Sequence, residues 1–327
     1  MYKVLTAPDS ELSSYDNVIA DGKTAIIVSE SGELVKEQAD EALFWLPEAL
    51  PRAHRKGFTN EQEDEKRTRM LSERASELHA RRSDIPVLDP DFNYIYMLHP
   101  FGWHAFGHLF DSLQRLRHAV PAVPKPWKVL HSHNRQVVDF EVHMEKLGVP
   151  RDSLIEIRND QSFVAPKLWV SPWQEWPANI TPENYDWIYD GYTRSVPKTA
   201  PTRLYLTRNH VRASERSVLN EEEVLARLEP LGFQVFRGTE TIDEMLTLFH
   251  NAEMIIGPHG SALANTMFCN PDCRILEFCA DNRIDRSFLR KHKKAKDYRQ
   301  VLRPADEAFN ITIPMDEIEA FLSGAGG

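Results

Sequence analysis

Of the chain's 327 residues only three are cysteine, at positions 269, 273 and 279. An odd number crowded late in the sequence argues against a disulfide framework and suits a reducing compartment. No apolar run approaches the roughly 20 residues that a bilayer span requires. The opening "MYKVLTAPDSELSSYDN" carries no signal-peptide apolar core. Positive charge is in deficit: 39 lysines and arginines against 49 aspartates and glutamates leave a net −10, which argues against nucleic acid as a general partner. There is no internal repeat and no low-complexity tract. The expected compartment is the cytoplasm.

What is present is a globular composition, 42% hydrophobic and 27% charged, in a chain long enough for two domains. Residues 15–36 read as a small β-meander, with turns at Asp21-Gly22 and Ser31-Gly32. Residues 60–82 read as a charged, solvated helix with a weak apolar stripe of Met70, Leu71 and Leu78. Strands "YIYML", "WKVLH" and "LIEI" then alternate with helices over 103–118 and 136–147, the pattern of βαβ units and a largely parallel sheet.

Five prolines between 172 and 201 mark an interdomain connection. Trp169, Trp173, Trp176 and Trp187, with Tyr185, Tyr189 and Tyr192, gather there, either as packing for the connector or as a platform for sugar rings. The alternation resumes with strands "RLYLT", "FQVF", "EMIIG" and "RILEF" between helices over 220–232, 241–252 and from 261 onward. The expectation is an α/β chain of two Rossmann-like halves, with ligands at the carboxyl ends of the strands.

Within the second half, "MIIGPHGSALANTMF" (254–268) runs from a buried strand through a tight turn into a helix start. Unpaired amide groups and the helix dipole at such a terminus suit an anion, and small residues let a phosphate approach the backbone. Ser261 is positioned to cap the helix or to donate to a ligand. The stretch is not a G-x-G-x-x-G dinucleotide fingerprint, and glycine at a βα turn is also a common structural device.

"RLYLTR" (203–208), "LNEEEVLARLEPLGFQVF" (219–236), "LFHNAEMIIGPHGSALANTMFC" (248–269) and "RILEF" (274–278) resemble glycosyltransferase family 61. They match its R-x-Y-x-[ST]-R, N-E-x-E, A-x-x-I-[IV]-G-x-H-G-[AS]-x-L-x-N and [VI]-[LI]-E elements in order and spacing. The resemblance covers roughly residues 90–280. It implies the GT-B fold, with an acceptor-side domain over 1–185 and a nucleotide-sugar-binding domain over 186–327. It also implies an inverting hexosyl- or pentosyltransferase of surface polysaccharide biosynthesis. The donor is then a co-substrate, expected to be a UDP-sugar, and no bound cofactor is needed. The acceptor is a glycan or a lipid-linked hydroxyl, so the inner face of the membrane is a compatible location.

The same resemblance distributes roles. Arg208 would pair with donor phosphate, His259 would stabilise the leaving phosphate, and Glu277 would accept from ribose hydroxyls. Gly257, Gly260, Ser261, Ala262 and Asn265 would line the donor site. Arg212 and Arg216 belong to a basic loop that either closes over phosphates or is solvated. In the first half "GWHAFGHLFDSLQRLRHA" (102–119) resembles the family's G-H-[FW]-L-x-[DE]-x-L-x-R-L, with one residue fewer between His108 and Asp111. On a helix at about 100° per residue, His104, His108, Asp111 and Arg115 fall within about 60° of one another, opposite Leu109, Leu113 and Leu116. That stripe is a solvated face or the catalytic floor, with His108 as general base and Asp111 orienting it or acting directly.

No metal is expected. His-x-x-x-His lacks the glutamate of H-E-x-x-H, the cysteine spacing fits no zinc knuckle, and the "DPDF" at 89–92 has proline between its aspartates and lies far from the nucleotide half. Two other readings stand beside the transferase. One is a nicotinamide-dependent oxidoreductase, opposed by the missing glycine fingerprint. The other is a protein of the same fold that only binds glycan or nucleotide.

Overall fold

The computed structural model describes residues 4–5, 12–35, 61–98, 106–132, 140–171, 181–209, 216–283 and 297–324. The chain is α/β and divides into two compact units, Met1–Ile188 and Tyr189–Gly327.

The first unit is built on a mixed eight-stranded sheet. Its strands are β1 (Val4–Leu5), β2 (Ser13–Asp21), β3 (Ile27–Val28), β4 (Leu34–Val35), β5 (Asn93–Met97), β6 (Trp127–Ser132), β7 (Leu154–Ile157) and β8 (Ser162–Val170). In space they run β1-β4-β3-β2-β8-β5-β6-β7. The block β8-β5-β6-β7 is parallel, and β2 joins it antiparallel to β8. Helices α1 (Glu61–Ala80), α2 (Phe106–Ala122) and α3 (Phe140–Lys146) belong to this unit.

β8 is the strand the sequence conceals, because Pro166 sits inside it, and a proline in a run argues against a central strand. The register with β2 stays constant across this proline, Asp16↔Lys167 and Val18↔Ala165, so Asn17, whose φ is +50°, falls opposite Pro166. Trp169 therefore belongs to a strand rather than to a connector, and its indole N–H donates to Asn93 Oδ1 at 3.0 Å.

Helix α1 is not simply solvated. Leu71, Ala75 and Leu78 are buried against Ile19, Val28, Leu34 and Val164, one face of the sheet. Each leucine so buried contributes about 1.5–3 kcal/mol. The other face packs Val18, Ala20, Tyr94, Tyr96, Leu130 and Leu168. Arg74 on α1 reaches Asp21, which has no solvent exposure, through Nη2 at 2.7 Å and Nε at 3.2 Å. Thr24 Oγ1 (2.6 Å) and Ser162 Oγ (2.8 Å) also donate to that carboxylate. On α2, Leu113, Leu116 and Ala119 are buried. Arg115, expected on the polar stripe, is buried too.

The second unit is a five-stranded parallel sheet of β9 (Thr202–Leu206), β10 (Phe233–Phe236), β11 (Ala252–Pro258), β12 (Arg274–Ala280) and β13 (Asp297–Arg303). Its spatial order is β10-β9-β11-β12-β13. This is the doubly wound 2-1-3-4-5 order, whose switch point falls between the first and third strands. Helix α4 (Pro182–Thr193) spans the division between the units, so part of the proline-rich stretch expected as a connector is helical. Residues 172–180, with Trp173 and Trp176, lie outside the described residues. α5 (Glu221–Leu228) and α7 (Met315–Leu322) pack Val224, Leu228, Ile318 and Phe321 onto Tyr205, Ile256, Leu276 and Phe278. α6 (Ile242–His250) covers the opposite face, where Phe249 meets Phe236 edge-on at 5.0 Å. Tyr192 is fully buried and stacks on Phe268 at 4.8 Å, which makes it core rather than sugar platform.

Burial alone would push the Asp21 carboxyl up, yet Arg74, Thr24 and Ser162 outweigh it and hold it below the usual carboxylate range. A depressed folded-state value means stability that is present above the unfolded pKa near about 4 and lost as pH falls through the folded value. Arg74→Ala should cost about 3–5 kcal/mol at pH 7 by leaving a buried charge unpaired. In urea unfolding the gap to wild type should narrow at about pH 3, where protonation removes that charge. An equal gap at both pH values would show that the arginine acts by packing alone.

Candidate functional site at the β9–β11 switch point

The site grows from three strand ends. β9 continues into Thr207, Arg208 and Asn209; β11 ends in Gly257 and Pro258 and turns through His259 and Gly260; β12 carries Glu277. Loops leave β9 and β11 toward opposite ends of the sheet, and such a divergence opens a crevice. Gly257 pairs in register with Glu277, and Glu277 with Gln300 of β13, so one row crosses three strands.

The two glycines of "GPHG" answer to space rather than to backbone conformation. A Cβ on Gly257 would lie 2.7 Å from Leu206 Cβ and 2.9 Å from the Leu206 carbonyl oxygen. A Cβ on Gly260 would lie 2.1 Å from Arg208 Nη1. Gly260 itself is extended, at φ 177°. What sits against the turn is therefore the protein's own strand β9 and the Arg208 guanidinium. Arg208 Nη1 donates to the His259 carbonyl oxygen at 3.0 Å, tying the strand end to the turn.

His259 and Glu277, assigned separate tasks from the sequence, are partners. His259 Nδ1 lies 2.5 Å from Glu277 Oε1. The other carboxylate oxygen accepts from Tyr298 O–H at 2.7 Å and Gln300 Nε2–H at 2.9 Å. Glu277 has no solvent exposure, and its oxygens are engaged by these internal donors. Tyr298 and Gln300 escaped the sequence reading, which ended at Phe278. The available signal was the polar spacing of "DYRQVLR", whose residues 298 and 300 share a strand face.

The segment after the turn is a 3-10 helix over Ser261–Phe268 rather than an α-helix. Its N-cap position is Gly260 with no side-chain cap bond, and Ser261 is exposed at the first position, so the expected serine cap is absent. Ala262 follows. Asn265 is buried, and its carboxamide oxygen has no hydrogen-bond partner among the described residues. A buried acceptor of this kind ordinarily has a partner.

The upstream motif builds the support. Tyr205 O–H and Thr207 O–H both donate to Glu221 Oε1 at the start of α5, at 3.1 and 2.8 Å. Burial and then the Glu221 carboxylate push the Tyr205 phenol up. Asn220 bonds both backbone groups of Ile313, and Asn209 bonds both backbone groups of Val218. The Asn209–Val218 clamp closes the loop that follows Arg208. Arg212 lies outside the described residues. Arg216 has φ +58° and donates its backbone N–H to the Ala308 carbonyl oxygen.

The structure thus brings together Arg208, Gly257, His259, Gly260, Ser261, Ala262, Asn265 and Glu277 around one turn. His104 lies outside the described residues. His108 and Asp111 are on α2, whose side chains are described only from Leu113 on. Cys279 Sγ, with atoms of His259 and Glu277, forms a group within 4.8 Å that has the composition of a metal donor set. Hydrogen bonds already engage it. Glu277 takes three donors, and the Cys279 thiol donates toward the carbonyls of Ala280 (3.7 Å) and Arg283 (3.4 Å). All three cysteines are unpaired by disulfides and buried.

The two glycines should respond differently to alanine. Gly257→Ala pushes two backbones apart and should cost about 1–3 kcal/mol, the range for overpacking. Gly260→Ala meets only the end of a flexible side chain, and should cost clearly less while displacing the Arg208 guanidinium. Chemical denaturation of the two variants checks this. Equal losses would show that the Arg208 contact is as rigid as the strand packing.

The chain was also compared with known proteins. No curated protein matches it. The family model described as Glycosyltransferase 61 matches residues 49–276, well over half the length, and takes in the β9 motif, the "GPHG" turn and the start of β12. The chain belongs to glycosyltransferase family 61.

Proposed function

We propose that the switch point of the second unit binds the diphosphate of a nucleotide-sugar, and that the protein transfers the sugar to a hydroxyl acceptor with inversion. The observation that carries this is the gathering at the β9–β11 divergence of Arg208, the His259–Glu277 pair and the buried Asn265, whose oxygen is unpartnered among the described residues. A guanidinium forks two N–H groups toward phosphate oxygens, and an imidazole held by a carboxylate stabilises charge as the leaving phosphate departs. The donor of this reading is a UDP-sugar, and the fold is GT-B, with Met1–Ile188 as the acceptor side. His108 serves as general base with Asp111 orienting it. Arg208 and the turn supply the positive charge that a divalent cation would otherwise bring. Surface polysaccharide assembly in the cytoplasm, on a glycan or lipid-linked acceptor, is the process this chemistry suits. Among the described residues no helix is long and apolar enough to cross a membrane.

UDP, GDP, CMP and NAD compared in thermal unfolding test the ligand class. A nucleotide at about 100 Kd adds about 2.7 kcal/mol, and stabilisation by NAD alone would overturn the transferase reading. Arg208→Ala should weaken UDP binding by about 1.5–3 kcal/mol in calorimetric titration, and unchanged affinity would confine Arg208 to bracing the turn.

Turnover should persist in EDTA; complete loss restored by Mn²⁺ would refute metal independence. His108→Ala and Asp111→Asn should keep donor affinity and lose about 10²–10⁴ in kcat. Near-normal kcat in both would move the base elsewhere.

A further inference from the structure

Glu277 is an unusual residue for its position. It lies on β12, an interior strand of a parallel sheet, with Leu276 and Phe278 beside it in the core, and none of its surface meets solvent. A carboxylate there is tolerated only if hydrogen bonds replace its hydration. Three do. His259 takes Oε1, while Tyr298 and Gln300 both aim at Oε2. The last two share a face of β13, and Gln300 is the register partner of Glu277, so strand pairing alone fixes where these donors stand. Both lie beyond residues 49–276, so the family match assigns them nothing.

We infer that Tyr298 and Gln300 are positioning residues that lock the Glu277 side chain in one orientation and so fix the acceptor that holds the His259 proton on Nδ1. A phenol O–H and an amide N–H₂ both bonded to one oxygen stop the carboxylate from rotating. The opposite oxygen is then a fixed acceptor against His259 Nδ1, which must carry its proton there. Nε2 becomes the nitrogen that exchanges a proton with a ligand, and the carboxylate supports the imidazolium when both nitrogens are protonated. The functional half of this inference rests on the phosphate-binding role proposed for His259; the tautomer half does not.

Glu277→Gln gives a sharp test, because an amide has one acceptor end and one donor end. The Tyr298 and Gln300 donors should capture the new carbonyl oxygen and turn the N–H₂ toward His259. Nδ1 must then accept, and the ring proton moves to Nε2. Ring ¹⁵N NMR of histidine-labelled protein, with His259 assigned by comparison with His259→Gln and the pH set where the ring is neutral, reads this directly. Wild type should show the Nδ1–H form and E277Q the Nε2–H form. The triple variant E277Q/Y298F/Q300L, stripped of both donors, should regain Nδ1–H.

An unshifted tautomer in E277Q overturns the inference, as does a triple variant that behaves like E277Q. In turnover, Y298F/Q300L should lower kcat about 10–100-fold, the scale for outer partners of a functional histidine, with the donor KM changed less than about twofold. Loss through KM alone would also overturn it. The NMR arm needs no substrate, so failure of the transferase reading would leave its result standing.

Discussion

A charge that cannot reach water organises the second unit. Glu277 sits in the interior strand of a parallel sheet, and leaving it without partners would cost several kcal/mol. Its needs are met by the turn after β11 and by β13, one on either side. The carboxylate therefore constrains three strands at once: the register of β13, the conformation of "GPHG", and the plane of the His259 ring. His259 closes the arrangement by sending its backbone N–H to the Phe278 carbonyl oxygen at 2.7 Å, so both its side chain and its main chain hold to β12.

The small residues around His259 follow from the same crowding. Gly257 lets β9 approach β11 where the row Gly257–Glu277–Gln300 crosses the sheet. Gly260 leaves room for the Arg208 guanidinium, which in turn holds the His259 carbonyl. A cation, an imidazole and a buried carboxylate are thereby packed around one turn, with side-chain volume removed wherever it would separate them. Such preorganisation matters to an anion site, because charge held in place by the fold needs no rearrangement when the ligand arrives.

Much of this was legible beforehand. The second unit's strands announced themselves as short β-branched runs between helical patterns, and all four that were expected formed close to their expected positions. The residues of the switch-point turn were identifiable because glycine, histidine and small residues together have few bland explanations. What the sequence hid was hidden for physical reasons. β8 contains Pro166, β13 is a polar edge strand, and the Ser261–Phe268 segment tightened to 3-10 geometry that periodicity cannot distinguish from an α-helix. The apolar stripe of α1 looked too thin to be buried, because alanine at 75 contributes to it as a small residue. The His259–Glu277 pairing spans 18 residues and depends on strand register, so no local pattern could reveal it.

The chain contains a second buried carboxylate, and the contrast between the two separates brace from site. Asp21 is answered by a guanidinium and two hydroxyls, groups that keep their charge state at any ordinary pH. The result is a fixed pair that pins α1 to the sheet, and nothing in it can exchange a proton near neutrality. Among the described residues Glu277 has no guanidinium partner. Its partners are a phenol, an amide and an imidazole, and of these side-chain types only imidazole ordinarily changes charge near neutrality. A fold that merely needed to neutralise Glu277 would be better served by an arginine, which pairs bidentately and never loses its proton. Matching the buried charge to a histidine leaves the pair able to gain or release one proton at the ring, beside the Arg208 guanidinium, at the one place in the sheet where strand order opens a crevice.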